Sequence, residues 1–160
     1  MSSVIIDTNP LAYIYNGIPD FGERYAILLN KLAVNSVLLI PKIVYGELSL
    51  MFRNKKELDA FLSDTGIVIG EIESKTYITA AKRWQKYKNR RVIICHRCGA
   101  RLKGLVCQKC NAEIKIRQHI LSDFIIGAYA LEAKGKNIVT SDAGYYSTYF
   151  PELNIITANR

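Results

Sequence analysis

The sequence lacks the features that would take it out of the soluble globular class. No apolar run approaches the roughly 18 residues that a membrane-spanning helix needs, and no basic stretch followed by an h-region precedes the apolar residues that begin at Val4. These absences predict a cytoplasmic chain with no membrane partner. No internal repeat and no low-complexity segment is present. Histidine is scarce, with His96 and His119 the only two. His96 lies among cysteines and reads as a surface residue, and His119 as a structural or helix-start residue, so neither is given a catalytic role. Cysteine is limited to four residues, all in Cys-x-x-Cys pairs, which in a cytosolic chain reads as metal binding before disulfide. Acids are outnumbered by bases, 14 to 22, for a net charge of +8 and a pI near 9.4. That excess favours an anionic partner. The 49% hydrophobic content excludes a disordered chain, and 160 residues suffice for a real core.

Short apolar runs alternate with helical patterns. Runs at 4–6, 37–40, 67–69, 138–140 and 155–157 read as strands; 21–32, 55–62, 74–90, 120–134 and 145–150 read as helices, with Gly135 a natural C-cap for the fourth. Asp7-Thr8-Asn9-Pro10 reads as a helix start, and Pro41 opens a further helix carrying Val44, Glu47, Leu48 and Met51. Buried strands alternating with helices predict an α/β fold with a central parallel sheet and helices on both faces. Ligand sites in such sheets lie beyond the carboxyl ends of the strands, where strand order reverses.

Four acids fall where such a site would form. Asp7 and Asp142 each follow a strand run, and Glu47 and Asp123 sit inside amphipathic helical patterns. A carboxylate among apolar residues is costly without a cation or a hydrogen-bond partner. Each also has a plainer reading: Asp7 as a helix cap, Glu47 as half of an ion pair, Asp123 as a first-turn acid facing the helix dipole, Asp142 as a turn residue. Taken together they predict a shared site for Mg²⁺ or Mn²⁺, hard ions that prefer oxygen ligands, and hydrolysis of a phosphate backbone is the chemistry such a site performs.

The segments Ile5-Ile6-Asp7-Thr8-Asn9, Pro41-Lys42-Ile43-Val44-Tyr45-Gly46-Glu47-Leu48, Ser122-Asp123-Phe124-Ile125-Ile126-Gly127-Ala128-Tyr129-Ala130 and Ile138-Val139-Thr140-Ser141-Asp142, in that order and spacing, resemble a PIN domain, including its VapC-type toxins. The resemblance covers roughly residues 3–90 and 118–158. It implies a metal-dependent endoribonuclease on a PIN-like three-layer fold with a central parallel sheet. It also implies that Asp7, Glu47, Asp123 and Asp142 ligate the metal or orient the attacking water, and that Asn9 and Thr140 support the site. Gly127, one turn after Asp123, is expected to allow close packing of its helix on the sheet.

Residues 92–117 interrupt this pattern, dividing the nuclease-like part into 1–91 and 118–160. Cys95-His96-Arg97-Cys98-Gly99 and Cys107-Gln108-Lys109-Cys110-Asn111 have the spacing of two zinc knuckles, which together complete a tetrahedral structural site for one Zn²⁺. Gly99 and Asn111 follow the second cysteines, where a turn with positive φ is common. VapC-type chains have a short connection here. A PIN domain with a zinc ribbon is also similar to the archaeal endonuclease that matures small-subunit ribosomal RNA, but there the ribbon follows the PIN domain.

Of the 22 basic residues, 12 lie between Lys82 and Arg117, against one acid, Glu113. Arg97, Arg101, Lys103 and Lys109 of the insert are the expected phosphate contacts. Trp84 and Tyr87, among the charges, either stack on unpaired bases or pack the core. RNA is the expected partner, and the sequence leaves open an antitoxin, a ribosomal partner and a homodimer. Two other readings stand beside the ribonuclease. One is a non-catalytic RNA-binding or ribosome-assembly module. The other is a toxin-type nuclease whose ribbon docks a protein.

Overall fold

Val4, Ile5 and Ile6 leave a strand no polar side to turn to water, and the structure covers that strand on both faces. The structure, a computed structural model, describes residues 2–90, 93–102, 105–114 and 120–158. The chain runs β1 (Ser2–Ile6), α1 (Thr8–Tyr15), α2 (Phe21–Ala33), β2 (Ser36–Pro41), α3 (Lys42–Leu48), α4 (Lys55–Asp64), β3 (Val68–Gly70) and α5 (Ser74–Arg90). The insert contributes β4 (Ile93–Ile94), β5 (Arg101–Leu102), β6 (Leu105–Val106) and β7 (Glu113–Ile114). The chain then continues through α6 (Leu121–Glu132), β8 (Asn137–Val139), α7 (Ala143–Tyr149) and β9 (Asn154–Ile156).

Five strands form one sheet in the order β3-β2-β1-β8-β9. Every pairing in it is parallel. In the centre, Ile5 pairs with Leu39 of β2 on one side and Ile138 of β8 on the other. The expected α/β architecture with a central parallel sheet is therefore present. The chain winds outward from β1 to β3, then crosses back to β8, so strand order reverses between β1 and β8. Right-handed crossovers set α1 to α4 on one face and α5 to α7 on the other. On the first face Tyr13 packs on Phe21 and Tyr25, and Tyr15 stacks on Phe52. On the second, Tyr87, Phe124, Tyr145, Tyr149 and Phe150 form a continuous aromatic cluster. Tyr87 is thus a core residue, not a base platform, and Trp84 packs against the same core.

Two details differ from the sequence reading. At Gly127 the nearest group is an aromatic ring: a Cβ there would lie 2.4 Å from the Phe150 ring. Helix α6 ends at Glu132, before Gly135, which takes φ +99° in the turn leading to β8. Among the described residues, no helix is long and apolar enough to cross a membrane.

The insert forms two small antiparallel hairpins, β4 with β5 and β6 with β7. Ile94 of the first is buried in the main core, only 2% exposed.

Candidate active site and cysteine knuckles

Asp7 leaves the end of β1 and caps α1, accepting the Thr8 N–H at 2.8 Å. The other carboxylate oxygen accepts the Thr140 hydroxyl at 2.7 Å. Thr140 follows β8, so this bond joins the two strands that flank the reversal of strand order. The Thr140 hydroxyl also accepts the Asp142 N–H at 2.9 Å, and Asp142 caps α7 by accepting the Tyr145 N–H at 3.3 Å. Glu47, on α3, accepts the Thr8 hydroxyl. Asp123, in the first turn of α6, accepts the Ile120 N–H at 2.8 Å. Three of the four acids thus cap or brace a helix start; for Asp7 and Asp123 this is the plainer reading, whereas Asp142, read as a turn residue, caps α7. The same placements aim them at one end of the sheet.

Electrostatics couple the acids. The Asp7 pKa is raised to about 7: burial is the largest cause and the negative charges of Asp123 and Glu47 add to it, against the lowering bonds from Thr140 and Thr8. Beneath the acids lie Tyr145 and Tyr146, each about 1% exposed. Their phenols are raised well above the usual value by burial and then by the charges of Asp123, Asp7 and Asp142. Among the described residues the Tyr146 hydroxyl has no hydrogen-bond partner, and no three Asp, Glu, His or Cys side chains converge closely enough to hold one ion.

The sequence reading missed Thr8, Tyr145 and Tyr146. Asn9, which it named, is exposed in the first turn of α1, while the adjacent Thr8 is buried and grips Glu47. The signal for Thr8 was its place directly after Asp7; which side of the turn faces the site is a tertiary matter. Tyr145 and Tyr146 were legible only as part of a short helix.

The two knuckles have the same internal geometry. In the first, the Cys95 N–H donates to the Ala100 carbonyl at 2.8 Å and the Gly99 N–H to the Cys95 carbonyl at 2.9 Å. In the second, the Cys107 N–H donates to Ala112 and the Asn111 N–H to Cys107, both at 2.8 Å. Gly99 and Asn111 take φ +73° and +57°, as their positions demand. The backbone N–H groups of Cys98 and Arg97, then the Cys98 thiol, point at the Cys95 sulfur and hold its pKa below the ordinary thiol value. Cys110 and Lys109 do the same for Cys107. In each knuckle the backbone N–H groups favour the thiolate, but the two pairs are not gathered into the expected four-sulfur set among the described residues.

Of the expected phosphate contacts, Arg97, Arg101 and Lys109 are exposed on the hairpins, and Lys103 lies outside the described residues, as do Arg91, Lys115, Arg117 and His119. Arg83 is committed elsewhere. Its guanidinium grips Glu152 with bonds of 3.0 and 2.6 Å, reaches the Tyr149 carbonyl at 2.6 Å, and lies 4.8 Å from the centre of the Phe150 ring.

No protein-family model matches the sequence, and no curated protein matches it. Among solved structures, the chain matches one in the crystal structure of VapBC2 from Rickettsia felis bound to a DNA fragment from their promoter. The TM-score is 0.62 at 18% identity, over 96% of this chain and 97% of that one. At that identity the likeness concerns the fold, and it agrees with the five-stranded parallel sheet and its reversal between β1 and β8. The protein is built on the VapC-like PIN fold.

Proposed function

We propose that the protein is a divalent-metal-dependent endoribonuclease of the toxin-type PIN class, with its cysteine insert assisting RNA binding. The observation that carries this reading is the bonded set Asp7–Thr140–Asp142 at the reversal of strand order, with Glu47 and Asp123 electrostatically coupled to Asp7. The donors are all oxygen, and Asp7 is held up near neutrality by burial and like charge. A hard cation relieves both penalties.

Asp7, Glu47, Asp123 and Asp142 would hold Mg²⁺ or Mn²⁺, the ion drawing the carboxylates closer together than they stand here. When bound, the ion supplies an activated water and neutralises charge on a scissile phosphate. The protein's own groups do the rest. Thr140 fixes the Asp7 carboxylate and the backbone of Asp142. Thr8 fixes Glu47. Tyr145 and Tyr146 keep water from the buried side of the acids. Arg97, Arg101, Lys103 and Lys109 would contact RNA phosphates and position the strand. Cys95, Cys98, Cys107 and Cys110 would hold Zn²⁺, and the preformed knuckles fit that role. Zinc held there would contribute folding energy that so small a segment cannot draw from its own core.

A second reading follows from the structural neighbour, which is a VapBC2 assembly on promoter DNA: a toxin-type nuclease whose activity a protein partner holds off. Leu50, 87% exposed, and Met51 belong to the exposed apolar surface available to such a partner.

The deciding experiment is cleavage of single-stranded RNA in Mg²⁺ or Mn²⁺, with and without EDTA. Asp7→Asn and Asp123→Asn should each lose at least roughly 10²-fold in rate. Undiminished cleavage by both variants ends the proposal. Elemental analysis should find about one zinc per chain, lost in Cys98→Ser; a disulfide within the knuckles of metal-replete protein contradicts that role.

A further inference from the structure

The first knuckle is built into the nuclease-like body. Gly144, the second residue of α7, donates its N–H to the His96 carbonyl at 2.8 Å. The approach is so close that only glycine permits it. A Cβ on Gly144 would lie 2.3 Å from the Cys95 carbonyl oxygen, 2.5 Å from the Gly99 nitrogen and 2.8 Å from the His96 carbonyl oxygen. From the other side, a Cβ on Gly99 would meet the Gly144 carbonyl oxygen and the Thr148 hydroxyl at 3.4 Å. The buried Ile94 anchors the strand that leads into the knuckle.

The contact falls on the helix that Asp142 caps. The first N–H groups of a helix have no acceptor within it and take one from elsewhere. In α7 the Tyr145 N–H is taken by the Asp142 carboxylate, and the Gly144 N–H by the knuckle. An N-cap side chain accepts from the second or third helical N–H, so if the knuckle withdrew, the Asp142 carboxylate would be open to the Gly144 N–H as well as to that of Tyr145.

We propose that the knuckle at residues 95–99 is a positioning element for the acid site. By accepting the Gly144 N–H it fixes the start of α7 and keeps the Asp142 carboxylate on the Tyr145 N–H, where it would otherwise be drawn onto that of Gly144. The proposal rests on the reading of the acids as a metal-holding site. It makes the insert more than an accessory for binding RNA, because occupancy and order in the knuckle are transmitted through one backbone hydrogen bond to a candidate ligand.

The test is Gly144→Ala, which leaves every acid and cysteine in place and forces the knuckle off α7. Mn²⁺ titration followed by electron paramagnetic resonance should show about 10- to 100-fold weaker binding, the range for loss of a supporting partner behind a ligand. In RNA cleavage, kcat should fall by about tenfold or more with KM within about twofold, whereas a knuckle that only binds RNA raises KM and spares kcat. Unchanged Mn²⁺ affinity and kcat, with Cys95 and Cys98 newly reactive toward a thiol reagent, overturn the proposal. If the variant does not fold, amide exchange in the wild type decides. Slow exchange at Gly144 that becomes fast when a chelator strips the knuckle supports it, and exchange as fast as at an open helix start overturns it. A wild type that neither binds Mn²⁺ nor cleaves RNA sinks the ribonuclease reading instead, and the exchange measurement still reports whether the knuckle holds α7.

Discussion

Thr140 donates its hydroxyl hydrogen to the Asp7 carboxylate at 2.7 Å and accepts the Asp142 N–H on the same oxygen at 2.9 Å. One buried hydroxyl, 0% exposed, therefore orients two acids that lie 135 positions apart in the chain. Thr140 is itself fixed by its neighbours: its N–H donates to the Ile156 carbonyl at 3.1 Å and its carbonyl accepts the Tyr25 hydroxyl at 3.0 Å. The sheet, rather than a mobile loop, sets the geometry of this side of the site.

Thr140→Val keeps the shape and removes both side-chain bonds. It should destabilise the fold by about 1–3 kcal/mol, the cost of leaving buried polar partners unmade. Thr140 lowers the Asp7 pKa, so its loss should raise that pKa and move the acid limb of the cleavage profile to higher pH. Thr140→Ser should restore both. Denaturant titration and a pH–rate profile read the two effects, and an acid limb unmoved in the valine variant speaks against the assigned role of the bond.

The pKa of Asp7 makes a prediction about stability without metal. The carboxyl moves from 3.8 to about 7 on folding. Between those values the folded chain keeps a proton that the unfolded chain has lost. The contribution of Asp7 to stability therefore falls as pH rises through that window. Asp7→Asn should flatten this dependence and raise the melting temperature of EDTA-treated protein above pH 7. A divalent ion binds the ionised carboxylate and should reverse the order of the two proteins. Thermal melts from pH 4 to pH 8, with and without Mn²⁺, test both signs. An asparagine variant no more stable than wild type at pH 8 without metal contradicts the buried-charge account.

Gly127→Ala addresses the fold separately from the site. Its Cβ would press into the Phe150 ring at 2.4 Å, and Phe150 is fully buried among Phe124, Tyr145 and Tyr146. Overpacking of this kind should cost about 1–3 kcal/mol. Chemical denaturation should show the loss, while the pH profile of cleavage keeps its position if the acids are undisturbed.

The strands were legible because a parallel sheet covered on both faces has no place for polar side chains, and the run Val4-Ile5-Ile6 shows none. Asp7 and Asp142 were legible for the complementary reason: acids that end such runs fall at the carboxyl edge of the sheet. The bond between Thr8 and Glu47 was not, because it joins positions 39 apart and depends on how α1 is rotated. Arg83 read as part of a basic stretch, yet its partner Glu152 lies 69 positions away. Gly144, in Ser141-Asp142-Ala143-Gly144, carried no reading of its own in the sequence. Its need to be glycine comes from the Cys95–His96 backbone against it, and nothing local encodes that approach.

The basic insert offers the prediction that separates an RNA-binding ribbon from a protein-docking one. Arg97, Arg101 and Lys109 are exposed on the hairpins, and Lys103 lies outside the described residues. If all four contact phosphates, replacing them with alanine should weaken RNA binding and reduce the salt dependence by roughly 0.7 per contact on single strands. The acids stay intact in that variant, so cleavage should fall at low RNA concentration and recover toward saturation. Arg83→Ala provides the control. Its guanidinium is engaged by Glu152 and the Tyr149 carbonyl, so its loss should lower stability and leave the salt slope unchanged. Titration of a fluorescent RNA at several salt concentrations compares the three proteins. Superimposable curves for wild type and the quadruple variant remove RNA from the ribbon's role and move the protein-docking reading ahead of it.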